Sequence, residues 1–285
     1  MINFWTSVFP LPKKCLDALE KMCSGYLWKS IPSSARGAKV SWSSVCTPKK
    51  CGGLGLKRLK AWNQVFTLKL IWLLFTKSGS LWVSWVHKVL IKGRLFWDIS
   101  PQSAGSWLWR RILKIRALAR PLLFTVLGSG LQALFWHDDW TNLGPLIDIT
   151  GPAGPMVTGV SNMAVVAQVV HNGVWVVPQG RSPLCALLRA CLPTVPTLVD
   201  TSIDHYQWRN SINTSPGMFS SSLTWERLHP LGTLISWKSA VWFVNHIPKH
   251  AFFALDCYER QTSHKRSHYQ LGLNNRSRLL VVHRK

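Results

Sequence analysis

The run Gly52-Gly53-Leu54-Gly55 most constrains what this chain can fold into. Three glycines in four positions read as a backbone device, either a tight turn with positive φ or a close approach of two segments. The turn lies inside a longer stretch, Val40 to Phe75, that begins Val40-Ser41-Trp42 and passes through Cys46-Thr47-Pro48-Lys49-Lys50-Cys51. Val65, Leu68, Ile71, Trp72 and Phe75 then recur at helical spacing, with Lys69 and polar residues between them. A basic glycine turn feeding an amphipathic helix predicts a surface that meets a polyanion. Lys49, Lys50, Lys57, Arg58 and Lys60 are its candidate phosphate contacts.

The charge balance points the same way. In 285 residues, 34 Lys and Arg face 11 Asp and Glu, a net +23, for which nucleic acid is the default partner and an anionic membrane surface the second. Residues 1–97 hold sixteen basic and two acidic residues, residues 98–217 eight and six, and residues 218–285 ten and three. The two ends should therefore face the polyanion. A hydrophobic content of 47% is enough for a core and excludes wholesale disorder. Seven cysteines at irregular spacing predict free thiols in a reducing compartment, nuclear or cytosolic rather than secreted. The longest apolar run, Val65–Phe75, is too short to span a bilayer, so no membrane partner is expected. The seventeen tryptophans predict mainly core packing, with base stacking as a second use.

Periodicity predicts an α+β chain. Leu16, Leu19, Cys23 and Tyr26 form one helical stripe, with Asp17 and Lys21 as an i,i+4 pair. Further helices are expected over Leu81–Ile91 and Trp107–Arg120, the latter clustering Arg110, Arg111, Lys114, Arg116 and Arg120. Phe124–Leu127, Gly128-Ser129-Gly130 and Leu131–Trp136 predict a β-hairpin, and Gly144–Gly159 a loop. Beyond these come a short helix (Asn162–Val170), strands at Val174–Val177 and His205–Trp208, and helices at Leu184–Cys191 and Leu223–Leu228.

Catalytic signals are sparse. Asp138-Asp139 is the one paired carboxylate; a two-metal role would need a hairpin turn and a third carboxylate, so a turn or hydrogen-bond role is expected. Cys257, His264 and His268 form a C-x6-H-x3-H row without a fourth zinc ligand. Cys46 and Cys51 lack a second half. The expectation is no catalytic residue, no small-molecule substrate, and metal candidates only at Cys257, His264 and His268.

Several segments, taken in order, resemble the C-terminal third of plant non-LTR (LINE-type) retrotransposon reverse transcriptase-like proteins. They are Ser41-Trp42 through Pro48-Lys49-Lys50 to Gly55, Leu68-Lys69-Leu70-x-Trp72, Leu81-Trp82-Val83-x-Trp85-Val86 and Ser106-Trp107-x-Trp109. Phe135-Trp136-x-Asp138-x-Trp140 with Gly144-Pro145-Leu146 follows. Phe219-Ser220, Thr224-Trp225, Trp237, Val241-Trp242-Phe243 and Ile247-Pro248-Lys249-His250-Ala251-Phe252 resemble the start of the reverse transcriptase zinc-binding domain. The resemblance implies three parts: a helical thumb-like region over 1–79, a connector over 80–217 containing the hairpin, and an incomplete helical zinc-binding domain over 218–285. It places the polymerase core, with its Tyr-x-Asp-Asp loop, upstream of Met1, and implies that residues 1–79 grip template and primer.

The resemblance stops near residue 253. Codons compatible with Lys265–Leu271, read in a neighbouring frame, give Arg-Asp-Arg-Ile-Ile-Ser-Trp, and those for Arg278–Arg284 give Cys-Trp-Leu-Cys-Thr-Ala with the missing C-x-x-C. A frameshifted tail from about residue 260 is expected, and with it loss of the family's zinc ligands. The expected function is a non-catalytic fragment that binds RNA or DNA without strong sequence preference. An unselected relic without a molecular role is the alternative.

Overall fold

The computed structural model describes residues 11–32, 38, 40–102, 105–177, 182–196, 198–199, 201–211 and 215–229, with positions 232, 234, 241, 253 and 257. The chain divides into two compact units, one of residues 1–10 and 63–228, the other of residues 11–62 and 229–285. The boundary at 62/63 falls inside a continuous helix. The frameshifted tail expected from about residue 260 lies outside the described residues, as do His264 and His268.

The smaller unit begins with α1 (Lys13–Lys29), which ends where Ser30 turns left-handed (φ 57°) and its N–H returns to the Tyr26 carbonyl. Its buried positions are Leu16, Glu20, Ser24 and Gly25. Tyr26, expected on the buried stripe, is 67% exposed. The buried face runs instead through Glu20, because Arg58 supplies a counter-charge there. The expected Asp17–Lys21 pair is replaced by Asp17–Lys60 at 2.5 Å. Helix α2 (Trp42–Val45) is capped by the Ser41 hydroxyl, which accepts from the Ser44 N–H.

Helix α3 (Leu59–Phe75) carries the expected stripe, with Val65, Leu68 and Ile71 fully buried and Trp72 nearly so. Its amphipathicity is overturned. Trp62, Asn63, Thr67 and Leu74 are buried as well, and Lys69 is its one exposed residue. The polar positions tolerate burial because the Thr67 hydroxyl donates to the Asn63 carbonyl at 2.7 Å. This helix is a core element, and its own surface offers a polyanion little.

In the larger unit, α4 (Leu81–Trp85) runs on as a π-helical turn over Val86–Ile91, so the expected Leu81–Ile91 helix is present with a widened second half. Helix α5 (Trp107–Ala119) is capped by the Ser106 side chain. These helices close on one core containing Leu68, Ile71, Trp72, Phe96, Trp109 and Trp208. The indoles of Trp72 and Trp208 meet edge-on at 5.9 Å. Packing is thus what the buried tryptophans do.

Strand β1 (Leu123–Val126) pairs antiparallel with β4 (His205–Trp208), in register from Leu123↔Trp208 to Val126↔His205. The expected hairpin from Phe124 to Trp136 does not form. The hairpin of this region is β2 (Val170–His171) with β3 (Val174–Trp175), joined by Asn172 (φ 49°) and Gly173 (φ 71°). Two left-handed residues between short strands match the right-handed strand twist.

Gly144–Gly159, expected as loop, contains α6 (Leu146–Thr150) and α7 (Gly154–Thr158). In both, a threonine hydroxyl bonds back four residues, Thr150 to Leu146 and Thr158 to Gly154. Helix α8 (Pro183–Cys191) helps enclose a second core around Phe135, Trp136, Trp140, Leu146 and Leu188. Helix α9 (Ser221–Leu228) is tied to β4 by the Trp208 indole N–H, which donates to the Thr224 hydroxyl at 2.9 Å.

Candidate nucleic-acid interface and the buried carboxylates

The glycine turn uses both devices expected of it. Lys49–Cys51 make one 3-10 turn, after which Gly52 takes φ 91° and Gly55 φ 72°. A Cβ at Gly53 would stand 2.1 Å from the Thr47 carbonyl oxygen, so the two segments approach too closely for a side chain. The Leu54 N–H returns to the Val45 carbonyl and the Gly55 N–H to that of Thr47, each at 2.9 Å. Beneath the turn, burial and the nearby Glu20 push the Cys46 thiol up to about 11, which keeps it protonated at neutral pH.

The five cations of this region have different fates. Lys49, Lys50 and Lys57 are exposed, with the Lys57 ammonium 4.1 Å from the Trp62 ring centroid. Arg58 reaches Glu20 at 3.5 Å, and Lys60 binds Asp17. In α5, Arg110 and Lys114 are exposed, whereas Arg111 is half-buried and burial lowers its pKa. Arg116 donates to the Phe96 carbonyl at 2.9 Å, and Arg120 clamps Asp148 with two bonds of 2.8 and 3.0 Å. The cluster of five read from the sequence therefore separates into an outward pair, a half-buried Arg111 and two structural arginines.

Asp138 and Asp139 take hydrogen-bond roles, as expected, and both are buried. Asp138 Oδ2 accepts from the Leu134 N–H at 2.8 Å and from the Tyr206 hydroxyl at 3.0 Å. Burial pushes its carboxyl up to about 6 despite those donors. Asp139 Oδ2 accepts from Arg209 Nη1 at 2.6 Å, and its Oδ1 from the Gly144 N–H.

Asp204 escaped sequence reasoning. Its Oδ1 accepts from the N–H groups of Gly128 and Gly130, and its Oδ2 from those of Gln132 and Ala133, at 2.7 to 3.1 Å. Burial raises this carboxyl, and the four donors more than offset it, so its pKa lies below the ordinary carboxylate range. The signal was a lone Asp just before a predicted strand, with its partners over seventy residues away.

Among the described residues no group of three or more His, Cys, Asp or Glu side chains could hold a metal ion. Of the expected ligands, Cys257 is exposed. No described helix is long and apolar enough to cross a membrane.

No protein-family model matches this chain. No solved structure matches it either. Two curated proteins of Arabidopsis thaliana are similar. One, named "Putative ribonuclease H protein", is 31% identical over 153 residues, which cover 52% of this chain and 24% of that protein. The other, an uncharacterized mitochondrial protein, is 26% identical over 145 residues, covering 49% of this chain and 94% of its own length. The chain thus spans about a quarter of the first relative and nearly all of the second.

Proposed function

We propose that this chain is a retroelement-related fragment that holds nucleic acid electrostatically and performs no catalytic step itself. The observation that carries this reading is the charge balance around the glycine turn. Residues 1–97 contain only two carboxylates, Asp17 and Glu20, and these are engaged by Lys60 and Arg58. Lys49, Lys50 and Lys57 are exposed beside the turn. Arg110 and Lys114 add a second exposed pair. The ribonuclease H name of one relative supports a nucleic-acid setting. The ordered motifs support a finer origin, the connector and truncated zinc-binding domain of a plant non-LTR reverse transcriptase. The incomplete Cys257, His264 and His268 row supports a fragment without resident zinc.

Anisotropy titration of a labelled single-stranded oligonucleotide tests this. The log of the affinity should fall steeply and linearly with the log of salt concentration. Replacing Lys49, Lys50 and Lys57 together by Ala should flatten the slope by about 2. Affinity that stays level from low to high salt, or a slope untouched by the triple substitution, would overturn the assignment.

A further inference from the structure

The larger unit contains a cavity of about 350 Å³ that electrostatic holding leaves unused. Its lining changes with depth. Lys77, Arg94, Gln132 and Met163 are exposed and form the mouth; Phe75, Trp97 and Tyr206 are half-buried walls; Leu74, Ile91, Phe96 and Asp138 are buried at the floor. The walls are fixed by ring contacts: Phe75 meets Tyr206 at 5.1 Å, Trp97 at 5.3 Å and Phe96 at 5.5 Å. The Arg94 guanidinium is held at the mouth by the carbonyls of Leu90 and Ile91. Lys77 at the mouth takes a left-handed φ of 46° just past the end of α3.

Asp138 gives the cavity its chemistry. Both of its protein hydrogen bonds fall on Oδ2, and among the described residues no donor is bonded to Oδ1. A carboxylate buried at the end of an aromatic slot, with cations at the entrance, suits a flat ligand with a donor edge and an anionic tail.

We propose that this cavity takes the base of a nucleotide, guanine in preference to uracil, with Asp138 accepting from the base edge and Lys77 and Arg94 meeting its phosphate. The proposal rests on the nucleic-acid reading above and adds base selectivity to it. The volume lies at the small end of ligand sites, enough for one base and its sugar. Guanine presents N1–H beside an exocyclic amino group, two adjacent donors for an anionic acceptor. The single N–H of uracil is flanked by two carbonyl oxygens, which a carboxylate repels. Phosphate at two exposed cations is the ordinary partner of such side chains. The nucleotide could come from an unpaired strand or be free, and the chemistry of the slot is the same.

The full-length chain would be titrated with a labelled oligouridine twelve-mer, and with the same strand carrying one central guanosine. Guanosine 5′-monophosphate and uridine 5′-monophosphate would serve as competitors. The guanosine-bearing strand should bind about tenfold tighter. In Asp138→Asn an oxygen still accepts from Leu134 and Tyr206 and an amide N–H2 takes the place of Oδ1, so the preference should reverse toward uracil. Met163→Trp, filling the mouth from an exposed position, should abolish discrimination while the salt slope is kept. Competition by guanosine 5′-monophosphate would support the slot with a free nucleotide as source, and guanosine preference without such competition would support an unpaired strand. Equal affinity for both strands, unchanged in Asp138→Asn and Met163→Trp, would overturn the slot yet leave salt-dependent binding standing. Guanosine 5′-monophosphate binding without any strand binding would do the reverse.

Discussion

At the scale of single residues, Asp138 and Asp204 show how one side chain acquires opposite properties from its surroundings. Four N–H donors hold Asp204 below the ordinary carboxylate range, so its contribution to stability is present above that range and lost as pH falls through its folded pKa. Asp138 behaves the other way. Its folded value of about 6 lies above an unfolded value of about 3.9, so the native state binds the proton more tightly across that window. Stability from this group therefore falls as pH rises from about 4 to about 6, by up to ~3 kcal/mol, and stays lower above it. Asp138→Asn lacks that titration. Urea unfolding at pH 4 and pH 7.5 should show the variant gaining on the native chain by up to that amount at the higher pH. A stability difference independent of pH would mean that the carboxyl is not buried as described.

At the scale of elements, the segment after β1 shows how a long-range contact displaces a local one. Gly128-Ser129-Gly130 between apolar runs predicts a hairpin, but β1 finds its partner in β4, and the glycine N–H groups point at Asp204 instead. The glycines serve as donors at close quarters: a Cβ on Gly128 would lie 2.4 Å from the Ser202 carbonyl oxygen. Asp204→Asn keeps one oxygen but turns an N–H2 group toward backbone donors. It should cost about 2–3 kcal/mol, read as a lower urea midpoint; a loss under about 0.5 kcal/mol would show that the loop is held by other contacts. The true hairpin was legible, since Asn172-Gly173 between Val170-His171 and Val174-Trp175 is a strong two-residue turn signal. Its strands, two residues each, are too short to show the alternation that marks a strand in sequence. Helix spans at Lys13–Lys29, Leu81–Ile91 and Trp107–Ala119 were readable because apolar spacing persists over three turns or more.

At the scale of the whole molecule, two hydrophobic cores and buried carboxylates that accept long-range hydrogen bonds predict a cooperative fold, where an unselected relic predicts partial packing. The full chain should unfold cooperatively in urea and leave the dye ANS unbound at neutral pH. Gradual melting with strong ANS fluorescence would favour the relic instead. The excess of positive charge is a separate matter, since it governs association and not fold.

The sequence by itself determined the longer helices, the glycine turn and the cationic ends, because helical spacing, glycine content and formal charge are properties of neighbouring residues; the five-residue helices Leu146–Thr150 and Gly154–Thr158 are too short to show such spacing. Tertiary structure alone decided which of those charges remain outward. Asp17 and Glu20 lie in α1 but neutralise Lys60 and Arg58, about forty residues away. It also decided that Asp138, Tyr206, Lys77 and Arg94 share one cavity. The positions stand far apart in the chain, and only the β1–β4 pairing and the closure of the first core bring them together.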